Sequence, residues 1–420
     1  MKNFANIVSF VVLLAGCTYA SSCQLKIMEP SPLFTKKFGS KTIIFKAQEV
    51  ELFFEDGETI QAYCNDGIMI QTEEYNSYKN IYNSENDNMA AFSCDGTSIL
   101  AHDNYYDNLQ VSCYPSFLSF FESKKKLPKC GTFISYAIGV KFPTVGDVIK
   151  AGVCYDLDKL TLKFATYIAG HQKVSILNES NSGSKLSIDL NQKVNGFNNY
   201  FNFVNQHLLD DLQKRGELNF NSHEFQFVSL LQDEPLNTEL YGYAYIFNTM
   251  WWRQLREENW RYFLNALHER TRYSKFLVYV GTYGNITIPA PQGSCSSVKS
   301  EVVSVRTEDV VVQAPAYIWA YLKSLIPGET ENFVVIGHNS PYAKNPGHSE
   351  FCKIDMCDDI VWLKGSKFGN LRRLPTLGYT FCCRPEEVAK IIDNFPFEDG
   401  QMEATTKSTI QETMNYPDEW

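Results

Sequence analysis

The chain predicts an α+β protein of two domains, and three stretches carry that expectation. Phe276 to Val280 is a run of aromatic, aliphatic and β-branched residues that stops at Gly281, and Phe225 to Leu231 has the same character, so both are expected as strands. Between them, Tyr243 to Arg270 is expected as helix. Trp260, Phe263, Leu264 and Leu267 recur at helical spacing, while Arg253, Glu257, Arg261 and Glu269 take the other positions. Ahead of these, residues 21–147 hold short alternating runs such as Lys41 to Phe54 and Thr59 to Cys64. Asp56-Gly57, Asp66-Gly67 and Asp95-Gly96 break those runs, which is the pattern of a small antiparallel β domain.

The ends have a different composition. Residues 1–20 carry Lys2, an apolar run from Ile7 to Ala15 and a small residue at Ala20, as expected of a secretory signal peptide cleaved after Ala20. Leu13 to Cys17 also resembles a bacterial lipoprotein box with the lipid on Cys17, a lesser alternative. No later apolar segment is long enough to span a membrane. Residues 398–420 are polar and acidic without apolar period and are expected to be disordered, and Glu73 to Asp87 is expected as an exposed loop.

Twelve cysteines are too many for a reduced compartment. Without Cys17, six lie between Cys23 and Cys154 and five between Cys295 and Cys383, so disulfides are expected within each half, with one C-terminal thiol left over. A zinc site from Cys352, Cys357, Cys382 and Cys383 is the weaker alternative, because no Cys-x-x-Cys pair is present. Asn178-Glu179-Ser180 and Asn285-Ile286-Thr287 are glycosylation sequons. The net charge of −10 argues against long-range attraction to a polyanion. Arg253, Arg256, Arg261, Arg270 and Arg272 offer a local cationic groove, or else ion pairs with Glu257, Glu258 and Glu269. Lys124 to Lys126 with Lys129 form a second basic cluster, more ordinarily a solvated turn.

The stretch from Phe276 to Pro289 (FLVYVGTYGNITIP) carries a family resemblance. YAYIFN (Tyr243 to Asn248) and ENWRYFLNALHER (Glu258 to Arg270) precede it, and APAYIWAYLKSL, NFVVIGHNSPY and LGYTFCC follow it. In this order the motifs resemble the secreted insect branch of the DNA/RNA non-specific endonucleases with a ββα-metal (His-Me finger) site. The resemblance implies an endonuclease domain over residues 148–397, preceded by a small disulfide-bonded β domain. It also implies magnesium or another divalent cation as cofactor, DNA or RNA as partner and a secreted, extracellular location.

The family's Arg-Gly-His stands here as Asn221, Ser222 and His223, and the resemblance makes His223 the general base. Anchored on Trp260, it puts Arg256 where the family has its metal-binding asparagine and Leu264 where it has a glutamate. A cation in the ligand's place repels a divalent ion, so Arg256 is then expected to reach phosphate itself. A second register places Asn248 and Trp252 at the asparagine and tryptophan, with Arg256 at the glutamate. Two functions follow: a metal-dependent endonuclease of weak or lost activity, or an inactive nuclease scaffold that binds nucleic acid or an extracellular protein.

Overall fold

The computed structural model describes residues 22–39, 41–46, 50–64, 67–74, 77–84, 88–113, 118–142, 146–159, 161–170, 174–177, 186–194, 206–289, 300–306, 311–329, 331–342 and 347–398. The expected signal peptide, the Asn178 sequon, Cys295, His171 and the tail beyond residue 398 lie outside them. The chain forms two compact units, residues 1–117 with 173–178, and residues 118–172 with 179–420. The boundary expected at 147/148 falls inside the strand Gly146–Asp156 of the second unit.

In the first unit, alternation decides the sheets. Along Ser22–Ile27, Cys23, Leu25 and Ile27 are buried while Ser22 and Gln24 are exposed. One sheet takes the order Glu51–Glu55, Ser22–Ile27, Leu109–Cys113, Ile68–Glu74, Ser77–Ser84; Ser22–Ile27 runs parallel to Leu109–Cys113. A seven-stranded sheet runs from Asn104–Tyr106 to Val174–Leu177. Cys23–Cys94 and Cys64–Cys113 each join one sheet to the other. Gly57 and Gly96 turn the chain at φ 77° and 65°, as their Asp-Gly pairs predict. Of the loop expected over Glu73 to Asp87, the described residues lie instead in the paired antiparallel strands Ile68–Glu74 and Ser77–Ser84, with Gln71 opposite Asn80.

The second unit is built on a nine-stranded antiparallel sheet. Its order is Gln192–Lys193, Ser119–Glu122, Ile134–Phe142, Gly146–Asp156, Thr161–Ala169, Phe276–Tyr283, Tyr317–Ser324, Asn332–His338 and Thr380–Cys383. One face carries a core that includes Phe164, Tyr279, Trp319, Ile336, Phe381 and Phe395. Gly337 is the next residue after Ile336 and faces the other way, where Leu255 and Trp260 crowd it. A helix therefore covers that second face. Gly281 does not end its strand but sits within Phe276–Tyr283 between Phe164 and Trp319, under the Trp319 indole.

The expected α+β class and its ββα-metal core are corrected by this architecture. Among the described residues strand accounts for 44% and helix for 20%, with large multi-stranded sheets and few helices, which does not fit a ββα-metal nuclease core. The predicted Tyr243 to Arg270 helix is broken in its first half, where Asn248–Trp252 is a strand. Its Met-Trp-Trp sequence suits a packed pleat, and burial of Met250, Trp251 and Trp252 outweighs the helical spacing that follows.

Five disulfides form among the described cysteines, each within one unit, as expected of a chain that folds in an oxidising compartment. Cys130–Cys154 would have bridged the expected domain boundary and lies instead within the second unit. Among the described residues no helix is long and apolar enough to cross a membrane.

Candidate functional site

Between the strands Thr161–Ala169 and Phe276–Tyr283, the chain makes a two-stranded ribbon from Phe225–Ser229 and Asn248–Trp252. Phe225 lies opposite Trp252 and Ser229 opposite Asn248. Fully buried Asn339, one residue past the strand Asn332–His338, ties the ribbon down. Its Oδ1 accepts from the Trp252 N–H at 2.6 Å, and its Nδ2 donates to the Met250 and Pro315 carbonyls at 2.9 Å each.

His223 stands at the Phe225 end of this ribbon, in the short turn Ser222–Glu224 and not on a strand. Its backbone N–H donates to Asn221 Oδ1 at 3.1 Å, and its side chain is exposed. Arg253, the first residue of the helix, donates from Nε to the His223 carbonyl at 3.1 Å. Glu224 accepts from the Tyr342 hydroxyl at 3.3 Å; burial and the Glu224 charge push that phenol up to about 12. The expected strand histidine facing a Trp251 to Leu267 helix is thus replaced by a turn histidine beside the helix start.

The helix runs Arg253–Leu255, widens into a π turn over Arg256–Trp260 and continues as Arg261–Arg270. Trp260, Phe263 and Leu267 are buried as their spacing predicts, and Leu264 is half-buried. Asn259, in the π turn, is fully buried, and its Nδ2 donates to the carbonyls of Gly378 at 2.7 Å and Leu371 at 3.3 Å. Arg256 opens the same turn and reaches back to the ribbon. Nε donates to Gln226 Oε1 at 2.6 Å, Nη1 to Gln232 Oε1 at 3.1 Å and Nη2 to Glu257 Oε1 at 3.1 Å. Gln226 Nε2 closes the network on Glu257 Oε1 at 2.9 Å. The side chain keeps 24% of its surface in solvent, and these three bonds use three of the five N–H groups of a guanidinium. Gln226 and Gln232, which hold Arg256, lie 30 and 24 residues away in the chain, and no local sequence pattern marks them.

Asn248 is at the other end of the ribbon. Trp252 is four residue steps further along the strand, about 14 Å at ~3.4 Å per step, so Asn248 cannot share an ion with His223 beyond the Phe225–Trp252 end. It lines a cleft of about 450 Å³ with Tyr155, Lys163, Tyr245, Tyr283, Asn285 and Gln313. Lys163 is paired there with Asp156 at 3.0 Å.

Other candidates resolve into structural roles. Arg270 pairs with Glu329 and Glu331, and Arg272 with Glu269, so the five arginines do not gather into one groove. Lys126 donates to the Phe133 carbonyl. His338, expected in a loop, ends a strand as a buried residue. Among the described residues one cluster has metal-ligand types, Asp355, Cys357 and Cys382. It does not fit a metal, because Cys357 and Cys382 are bonded to each other and offer no thiolate. Asp355 already accepts from Arg372 and from the Cys357 and Cys382 amides. The zinc alternative fails on the same ground, since Cys352 is bonded to Cys383.

No protein-family model matches the chain, and a search of curated proteins finds no match either.

Proposed function

We propose that the second unit is an extracellular binding module for DNA or RNA that contacts phosphates without a divalent ion and does not hydrolyse them. The observation that carries this reading is the place of Arg256, whose guanidinium is fixed by Gln226, Gln232 and Glu257 at the His223 end of the ribbon. A divalent ion there would meet a permanent cation, whereas a phosphate would meet preset donors. Arg253 stands three residues earlier with its Nε on the His223 carbonyl, which adds a second positive charge to the same end. Half-buried Leu264 supplies no oxygen for metal-bound water. His223, with no carboxylate bonded to its ring among the described contacts, is then a solvent-facing contact residue and not a base aligned for catalysis.

Fluorescence polarisation with labelled DNA and RNA oligonucleotides tests this. Affinity is expected to be unchanged by chelator and to fall log-linearly with salt. Arg256→Gln and Arg253→Gln are each expected to weaken binding for all sequences and to reduce the salt slope by about 1. Magnesium-dependent cleavage of plasmid or RNA by the unmodified protein, abolished by chelator, would overturn the proposal in favour of an active endonuclease.

A further inference from the structure

We propose that Asn285 carries an N-linked glycan and that the sugars nearest the protein lie in the cleft beside it. The site is at the Asn248 end of the ribbon and does not depend on nucleic-acid binding.

The sequon Asn285-Ile286-Thr287 is presented for modification by its backbone. Gly284 turns the chain at φ 64°, Ile286 is 2% exposed, and its N–H donates to the Ala314 carbonyl at 2.9 Å while its carbonyl accepts from Val303 at 2.9 Å. With Ile286 pinned inward, Asn285 and Thr287 on either side of it are exposed. The disulfides place the chain in the kind of compartment where such transfer occurs. The donor is a lipid-diphosphate-linked oligosaccharide. Asn285 Nδ2 attacks the anomeric carbon, a C–N bond forms, the C–O bond to the diphosphate breaks, and the amide loses one proton.

Asn285 is itself part of the cleft lining, so an attached sugar starts at the rim. The cleft, about 450 Å³, falls in the range of small-ligand sites. Tyr245 and Tyr283 line it with aromatic rings, and Asn248, Gln313 and Asn394 line it with amides, of which Asn394 also donates to the Lys129 carbonyl at 3.2 Å. An acetamido sugar needs that combination, one face apolar and an edge of hydroxyl and amide groups. Because the sugar is tethered, its effective concentration at the cleft is on the order of millimolar, and weak contacts suffice to seat it.

The test uses the full chain secreted from eukaryotic cells. Glycopeptide mapping is expected to find an N-acetylglucosamine-based glycan on Asn285. Enzymatic release from the folded protein is expected to be several-fold slower than after denaturation. In Asn285→Gln, and in Thr287→Ala, which keeps the asparagine, hydrogen exchange is expected to rise at Tyr245 to Thr249 and Val311 to Gln313. An unmodified Asn285 would overturn the proposal. So would a glycan released equally fast from folded and unfolded protein with no change in exchange, since that sugar would be standing in solvent.

Discussion

Arg372 and Arg373 are neighbours in sequence with nothing to distinguish them there, yet their physical situations are opposite. Arg372 is fully buried and donates to Asp355, to Asp358 at 2.9 Å and to the Thr380 carbonyl at 3.5 Å. Burial works against its charge, and Asp358 and Asp355 outweigh that to raise its pKa. Through Asp355, which also accepts from the Cys357 and Cys382 amides, the guanidinium fixes the disulfide-bonded loop. Arg373 is 62% exposed and pairs with Asp358, itself 45% exposed. Arg372→Met therefore leaves Asp355 buried and unpaired and is expected to lower the unfolding free energy by roughly 3–5 kcal/mol. The exposed pair of Arg373 contributes at most about 1 kcal/mol, so Arg373→Met is expected to be near neutral. Equal urea midpoints for the two variants would refute the buried-ion account. The same holds at Arg256, whose place on a helix and pairing with Glu257 were legible, while its other two partners come from a ribbon strand and the connection after it.

Elements with one dominant signal were legible in the sequence, and those with competing signals were not. Phe276 to Val280 is strand as its aromatic and β-branched run predicts, and Trp260, Phe263 and Leu267 form the buried face of a helix. The failures sit where tertiary burial overrode local pattern. Asn248–Trp252 became the ribbon's second strand because its aromatics pack, Trp251 on Trp260 at 5.5 Å between ring centres. Gly281 looked like a strand terminator and is instead the gap that admits an indole. A Cβ there would lie 2.3 Å from Trp319 Cζ2 and 2.9 Å from the Lys163 carbonyl, and the latter is backbone that cannot swing aside. Gly281→Ala is accordingly expected to cost about 1–3 kcal/mol through overpacking. The check is chemical denaturation followed by tryptophan fluorescence; a midpoint equal to the unmodified protein's would mean that Trp319 does not rest on that glycine.

At the scale of the whole chain, the split of the cysteines into two self-paired sets was legible, while the unit boundary was not, because residue 147 lies in a strand paired on both sides within one sheet. The six tryptophans all lie beyond residue 250, so indole fluorescence reports the second unit alone. Two kinds of acid-base group there, His338 and two hydrogen-bonded aspartates, set how its stability responds to acid. His338 has its pKa lowered, chiefly by burial, against opposing contributions from the Ser340 backbone and Glu350. The unfolded chain then takes up a proton below about pH 6.5 while the folded one resists, so stability is full above that value and falls as the pH drops towards the folded pKa. Asp156 and Asp189 are also lowered. Burial works to raise them, but Lys163 and the Lys159 amide outweigh it at Asp156, as do Ser123 and the Lys124 and Lys125 amides at Asp189. Their stabilisation is present above the unfolded carboxylate value of about 4 and is lost as the pH falls through their folded values. The expected acid profile therefore has two limbs, a shallow one of at most about 1.4 kcal/mol per pH unit beginning near pH 6.5 and a steeper one below about pH 4. His338→Gln is expected to flatten the shallow limb and leave the steep one, whatever it does to stability at neutral pH. If urea midpoints of that variant between about pH 5 and 6.5 run parallel to those of the unmodified protein, the limb does not belong to His338, and its burial is not the cause.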